Sequence, residues 1–171
     1  GERRFIQQTS FPIKTARGYR LGSVVRDITD RKRAEDARRE SDERYHLLFQ
    51  TMVQGVVFQD AEGHIIQANP AAERILGLTM DQLQGRTSID PQWHGIHEDG
   101  SPFPGQEHPA MVALQTGQMV RNVVMGVFNP AANSYRWLNI NAVPRFLNGG
   151  TRPYQVYTTF EDITERKLAE E

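Results

Sequence analysis

The sequence predicts an α+β protein, and three observations carry the prediction. Strand-like runs with alternating apolar residues are interrupted by short helix-like runs that open on Asn or Thr and close on Gly. A charged stretch free of Gly and Pro stands between two strand-rich regions. One phrase also occurs twice: Asp27-Ile28-Thr29-Asp30-Arg31-Lys32-Arg33-Ala34-Glu35 returns as Asp162-Ile163-Thr164-Glu165-Arg166-Lys167-Leu168-Ala169-Glu170. The residues ahead of each copy match as well, with Arg4-Phe5-Ile6 answering Arg136-Trp137-Leu138 and Phe11-Pro12 answering Val143-Pro144. Repetition at the scale of one small domain points to stacked modules. The expected order is the end of one module, a connector and a complete second module, which reads as a relay rather than a free-standing enzyme.

Each element has its own signal. Residues 3–13 and Tyr19 to Ile28 read as strands about a turn ending at Gly18, an antiparallel hairpin. Asp30 to Tyr45 lack Gly, Pro and β-branched residues and predict a helix over 30–50. Its small or apolar positions Ala34, Ala37, Ser41, Tyr45 and Leu48 fall on one narrow stripe, the pattern of a solvated link or of a two-stranded coil. Val56 to Asp60 and His64 to Asn69 are strands around the turn Ala61-Glu62-Gly63. Asn69-Pro70 starts a helix that Gly77 closes, because Asn accepts free backbone N–H groups and Pro fits the first turn. Thr79 or Asp81 caps a short helix ended by Gly85. Residues 86–107 predict a long loop, and His108-Pro109 opens a helix reaching Gly117. Gln118 to Phe128, Tyr135 to Phe146 and Tyr154 to Ile163 are three longer strands.

Composition narrows the function. The chain has 171 residues, a net charge of −1 and no cysteine. Balanced charge gives no electrostatic case for a nucleic-acid partner. The missing cysteine excludes disulfides and thiolate metal sites and fits a reducing, cytoplasmic setting. No apolar run is long enough to insert into a membrane as a helix. The hydrolase elbow Gly-x-Ser-x-Gly and the phosphate loop Gly-x-x-x-x-Gly-Lys-Ser/Thr are both absent, so no catalytic residue is named and any enzymatic output is expected outside this segment.

Over residues 42–165 the chain resembles a PAS domain, and residues 3–29 resemble the last two strands of a preceding one. The resemblance rests on Asp60-x-x-Gly63, Ile66-x-Ala68-Asn69-x-Ala71-Ala72, Leu76-Gly77, Leu83-x-Gly85, Asp99-Gly100, Ala113-Leu114-x-Thr116-Gly117 and the closing Glu161-Asp162-Ile163-Thr164-Glu165-Arg166-Lys167. It implies a five-stranded antiparallel sheet with short helices on one face around a small cavity. The implied organisation is a hairpin of a preceding PAS domain over 1–29, a connector helix over 30–50, a PAS domain over 51–165 and the start of an outgoing helix over 166–171. Such modules belong to multidomain signalling proteins of the bacterial or archaeal type. The implied function is a sensory relay. A small ligand or partner alters packing, and the change reaches an output domain in cis such as a histidine kinase or diguanylate cyclase. A ligand-free dimerisation scaffold and a haem- or flavin-binding redox or gas sensor are the competing readings. A homodimer is expected through the connector helix.

The resemblance assigns signal transfer to Asp162, Ile163 and Thr164, with Asp27 and Thr29 doing the same for the first module. The plain reading of the same residues is a helix cap. Candidate cavity walls are Phe58, Ile75, Trp93, Met111, Leu114, Val124, Met125 and Trp137, which would equally serve as core. Asn139 and Asn141 either face the cavity or face solvent. His94, His97 and His108 lie near Glu98, Asp99 and Glu107, but His94-Gly95-Ile96-His97-Glu98 is not the zinc pattern His-Glu-x-x-His, and no metal is favoured. His108 heads the helix that bears the iron ligand in haem-binding members. It stands at the helix start before Pro109, which argues against haem. A cysteinyl flavin adduct is excluded, non-covalent flavin stays open, and no cofactor is favoured.

Overall fold

The computed structural model describes residues 3–170. Gly1, Glu2 and Glu171, which belong to the first and last expected segments, lie outside the described residues. The chain divides into two units, one ending at Leu47 and the other beginning at Leu48.

The first unit holds strands β1 (Ile6–Thr15) and β2 (Gly18–Asp27), an antiparallel hairpin pairing Ile6 with Asp27 and Thr15 with Gly18. The turn needs Gly18, whose φ of +119 is closed to ordinary side chains. Ile6, Tyr19, Leu21, Val24 and Val25 are all more than half exposed. Helix α1 (Thr29–Thr51) follows, one residue longer at each end than the sequence predicts. Ion pairs such as Arg31–Glu35 at 2.9 Å and Glu40–Arg44 at 3.0 Å run along it. Its stripe of Ala34, Ala37, Ser41, Tyr45 and Leu48 is exposed, and Phe49 is its first buried apolar side chain.

The second unit begins with β3 (Gly55–Asp60), β4 (Ile65–Ala68), α2 (Pro70–Leu76) and α3 (Met80–Leu83). It continues through β5 (Gly95–Ile96), α4 (Pro109–Thr116), β6 (Val120–Asn129), β7 (Ser134–Arg145), β8 (Gln155–Asp162) and α5 (Thr164–Glu170). The sheet is antiparallel and six-stranded in the order β4-β3-β8-β7-β6-β5, one strand more than the five expected. The addition is β5, whose two residues pair with Val127 and Gly126 at the edge of β6. It lies in the segment expected to be loop, and two residues are too few to show a period. A 3-10 turn at Gly105–Glu107 ends that segment.

Local chemistry sets the helices. Asn69 is fully buried; its Oδ1 accepts from the Ala72 N–H at 2.9 Å as an N-cap and from the Val56 N–H at 2.9 Å, tying α2 to β3. Thr79 and Gln82 form a reciprocal capping box on α3. Gly77 ends α2 at a φ of 69, and a Cβ there would lie 2.0 Å from the Asn129 side chain. The main core joins Val57, Leu76, Leu83, Met125, Leu138, Ile140 and Phe160. A second cluster joins Ala110 and Ala113 of α4 to Ala142 and Val156. Each large side chain buried this way contributes about 1.5–3 kcal/mol.

Candidate functional site

A cavity of about 90 Å³ lies between one face of the sheet and the helical side of the second unit. Its floor alternates along the strands: Val57 and Gln59 of β3, Met125 and Val127 of β6, Leu138 and Ile140 of β7, Thr158 and Phe160 of β8. Leu76, Trp93 and His108 with Pro109 and Ala110 line the other side. None of the lining residues is Asp, Glu, Lys or Arg.

The polar side chains of this wall are Gln59, Ser88, Trp93, His108 and Thr158, of which Gln59 and His108 are committed to backbone carbonyls. Gln59 donates through Nε2 to the Gly63 carbonyl at 2.8 Å. His108 donates through Nε2 to the Phe103 carbonyl at 3.1 Å, and burial holds its imidazole below the usual pKa, so the ring is neutral. Thr158 is 8% exposed, and its hydroxyl has no partner among the described residues.

Of the residues expected to line the cavity, Trp93 and Met125 stand in the wall. Phe58 lies on the opposite face of β3, with its ring 6.1 Å from Phe49 and 5.9 Å from Tyr157. Val124, Trp137, Asn139 and Asn141 share that opposite face, one residue out of phase with Met125, Leu138 and Ile140. Asn141 accepts through Oδ1 from the Asn122 N–H at 3.0 Å and steadies a bulge where Asn122 has a φ of 55. The Asn139 Oδ1 is buried without a partner among the described residues. Ile75 packs at the edge of the main core. Leu114 packs against the α4 cluster. Met111 is turned toward Gly63, where its sulfur would lie 2.7 Å from a Cβ. Val57, Gln59, His108 and Thr158 were absent from the expected set. Phase against the buried Val56-Val57 pair is too short a signal to choose a face, and His108 reads from sequence only as a helix start.

The repeated phrase forms the same joint twice. In the second unit, Thr164 donates from its N–H to the Asp162 Oδ1 at 2.9 Å and accepts through Oγ1 from the Trp137 N–H at 2.9 Å. The Ile163 N–H donates to the Trp137 carbonyl at 2.8 Å. In the first unit, Thr29 donates to Asp27 at 2.9 Å, Phe5 donates to the Thr29 Oγ1 at 2.9 Å, and Ile28 donates to the Phe5 carbonyl at 2.9 Å. The arginines follow suit, Arg136 lying 3.7 Å from Asp162 and Arg4 lying 3.9 Å from Asp27. Register agrees too, since Ile6 pairs with Asp27 as Leu138 pairs with Asp162. The Thr29 hydrogen bonds hold the Asp27 carboxyl below the usual range. In the second unit, Lys167 of α5 also sits 5.3 Å from the Trp137 ring centre and bonds to Glu98.

A separate cluster of Asp60, Glu62 and His64 occupies the exposed β3–β4 turn. There the Asp60 carboxylate accepts from the Glu62 and His64 N–H groups.

Comparison with known proteins places this geometry. A family model described as PAS domain matches residues 43–108. The solved PAS domain of a protein from Colwellia psychrerythraea superposes with a TM-score of 0.56 at 18% identity, covering 72% of this chain and 98% of that one. The chain contains a PAS domain. Sporulation kinase E of Bacillus subtilis is 35% identical over 68 residues, which are 40% of this chain and 9% of that protein. Sensor protein TdiS of Thauera aromatica is 26% identical over 135 residues, 75% of this chain and 23% of that protein. The chain thus spans less than a quarter of either curated relative. A PAS domain is a sensory module and not itself a catalyst. None of the described helices is long and apolar enough to cross a membrane.

Proposed function

We propose that this PAS domain senses a small ligand in the cavity and relays its presence through Asp162, Ile163 and Thr164 to α5. One observation carries the reading. Leu138 lines the cavity, and its neighbour Trp137 bonds through both N–H and carbonyl to the start of α5. A change in sheet packing at Leu138 therefore reaches the joint through one peptide unit. The output domain lies in cis and outside this segment, a histidine kinase or a diguanylate cyclase. The sensor-kinase relatives support the first. The setting is cytoplasmic, and the partner is a second copy of the chain through α1. The hairpin belongs to a preceding PAS domain, which the matched joint at Asp27 and Thr29 supports.

The test uses a built-in ligand. Ile140→Phe fills the cavity from the floor, and backbone amide shifts are read at Thr164 to Lys167. The relay reading expects shifts there that Thr164→Val suppresses. Shifts confined to the cavity wall would overturn it. The exposed Leu48 on α1 favours a second reading, a dimerisation scaffold without ligand. On that reading Leu48→Asp abolishes the dimer, while Ile140→Phe leaves α5 untouched. Haem and flavin need a space several times larger than the cavity of about 90 Å³.

A further inference from the structure

We propose that the cavity recognises a neutral organic molecule of about four heavy atoms bearing one hydrogen-bonding group, such as a short alcohol or ketone. The inference rests on the sensor reading above and names the class of its ligand. Size gives the first limit. A dry cavity of about 150 Å³ accommodates benzene. The space here is about 90 Å³. It holds proportionately fewer atoms, about four.

Charge gives the second limit. The wall contains no acid, lysine or arginine. Its one titratable member, His108, has its ring N–H directed to the Phe103 carbonyl. An ion entering this space would lose its water with no opposite charge to meet, which is strongly unfavourable. A neutral molecule avoids that cost.

Polarity gives the third. The Thr158 hydroxyl is buried and unpartnered, and Thr158 stands in the wall. Buried hydroxyls are rarely left without a partner. A χ1 step of about 120° carries the Thr158 hydroxyl into the place of its methyl, bringing Oγ1 to a guest as donor or acceptor. Gln59 and His108 already donate to backbone carbonyls, so the Thr158 hydroxyl is the fully buried unpartnered group of a wall that also carries the Ser88 hydroxyl and the Trp93 indole N–H. A guest of this size binds no tighter than about 40 µM. The domain would therefore report a solute abundant at micromolar to millimolar levels.

The experiment is a titration of the full isotope-labelled chain followed by amide and methyl shifts. Three probes are compared: 2-propanol, propionate and xenon. The proposal expects 2-propanol to give saturable shifts at Val57, Met125 and Thr158, and propionate to give none. Thr158→Val, which keeps shape and removes only the unpartnered hydroxyl, should weaken 2-propanol about three- to ten-fold. It should leave xenon binding unchanged, which also shows that the variant is folded. Saturable binding of propionate in the cavity, or equal 2-propanol affinity in Thr158→Val, overturns the ligand class while leaving the sensor reading intact. If neither 2-propanol nor xenon enters the wild-type cavity, the ligand class fails and the sensor reading fails with it.

Discussion

Asn69 joins three pieces of backbone with one side chain. It accepts from Val56 and Ala72 and donates to the Gln54 carbonyl at 3.0 Å. Asn69→Ala leaves these groups buried without partners and should cost about 2–4 kcal/mol, read by urea denaturation. His108 governs a pH response. Burial lowers its pKa from 6.5, so the folded chain excludes a proton that the unfolded chain takes up. The stabilisation from His108 is complete above about pH 6.5 and is lost as pH falls below it. The melting midpoint should drop between pH 7 and pH 5.5 in the wild-type chain and drop less in His108→Gln. An equal drop in both would assign the response to other groups.

Among elements, the strand-to-helix joints and α1 make the sharpest claims. Thr164→Val removes the acceptor of the Trp137 N–H and should destabilise the domain by about 1–2 kcal/mol, with faster hydrogen exchange at Trp137. Thr29→Val should speed exchange at Phe5 in the same way. On α1, neighbouring residues have different duties. Phe49 is 4% exposed, and Phe49→Asp should cost about 3–5 kcal/mol by burying a charge. Leu48 is 58% exposed, so Leu48→Asp should leave the melt nearly unchanged and lower the dimer fraction in light scattering. The helix ends are legible in the sequence because caps are local: Asn69-Pro70, Thr79 with Gln82, and Gly77 each announce themselves within four residues. Strand phase is not. Along β7, Trp137-Asn139-Asn141 and Leu138-Ile140-Ala142 are both plausible inner sets, and only packing against α4 and the opposite wall selects the second. The edge strand β5 is invisible for a related reason, since its pairing depends on β6 and not on its own pattern.

At the scale of the whole molecule, the fold class is legible because the repeat and the element order are long signals, whereas the cavity wall depends on contacts between distant segments. Leu138 of β7 and Thr158 of β8 reach the wall from different strands, and His108 arrives from the start of a helix. The cavity's size makes a prediction for the intact chain: freshly purified protein should show no absorption band beyond the aromatic region. A haem or flavin band would mean that the helical side opens well past what its packing shows. The twin joints have a consequence for how such chains are assembled. A crossover between Ile28 and Thr29 in one copy and Ile163 and Thr164 in the other would hand each strand pair a threonine that makes the same bonds to its new aspartate and aromatic neighbour. Recombination at this point is therefore silent at the seam, and either helix can follow either strand pair without redesigning the joint between them.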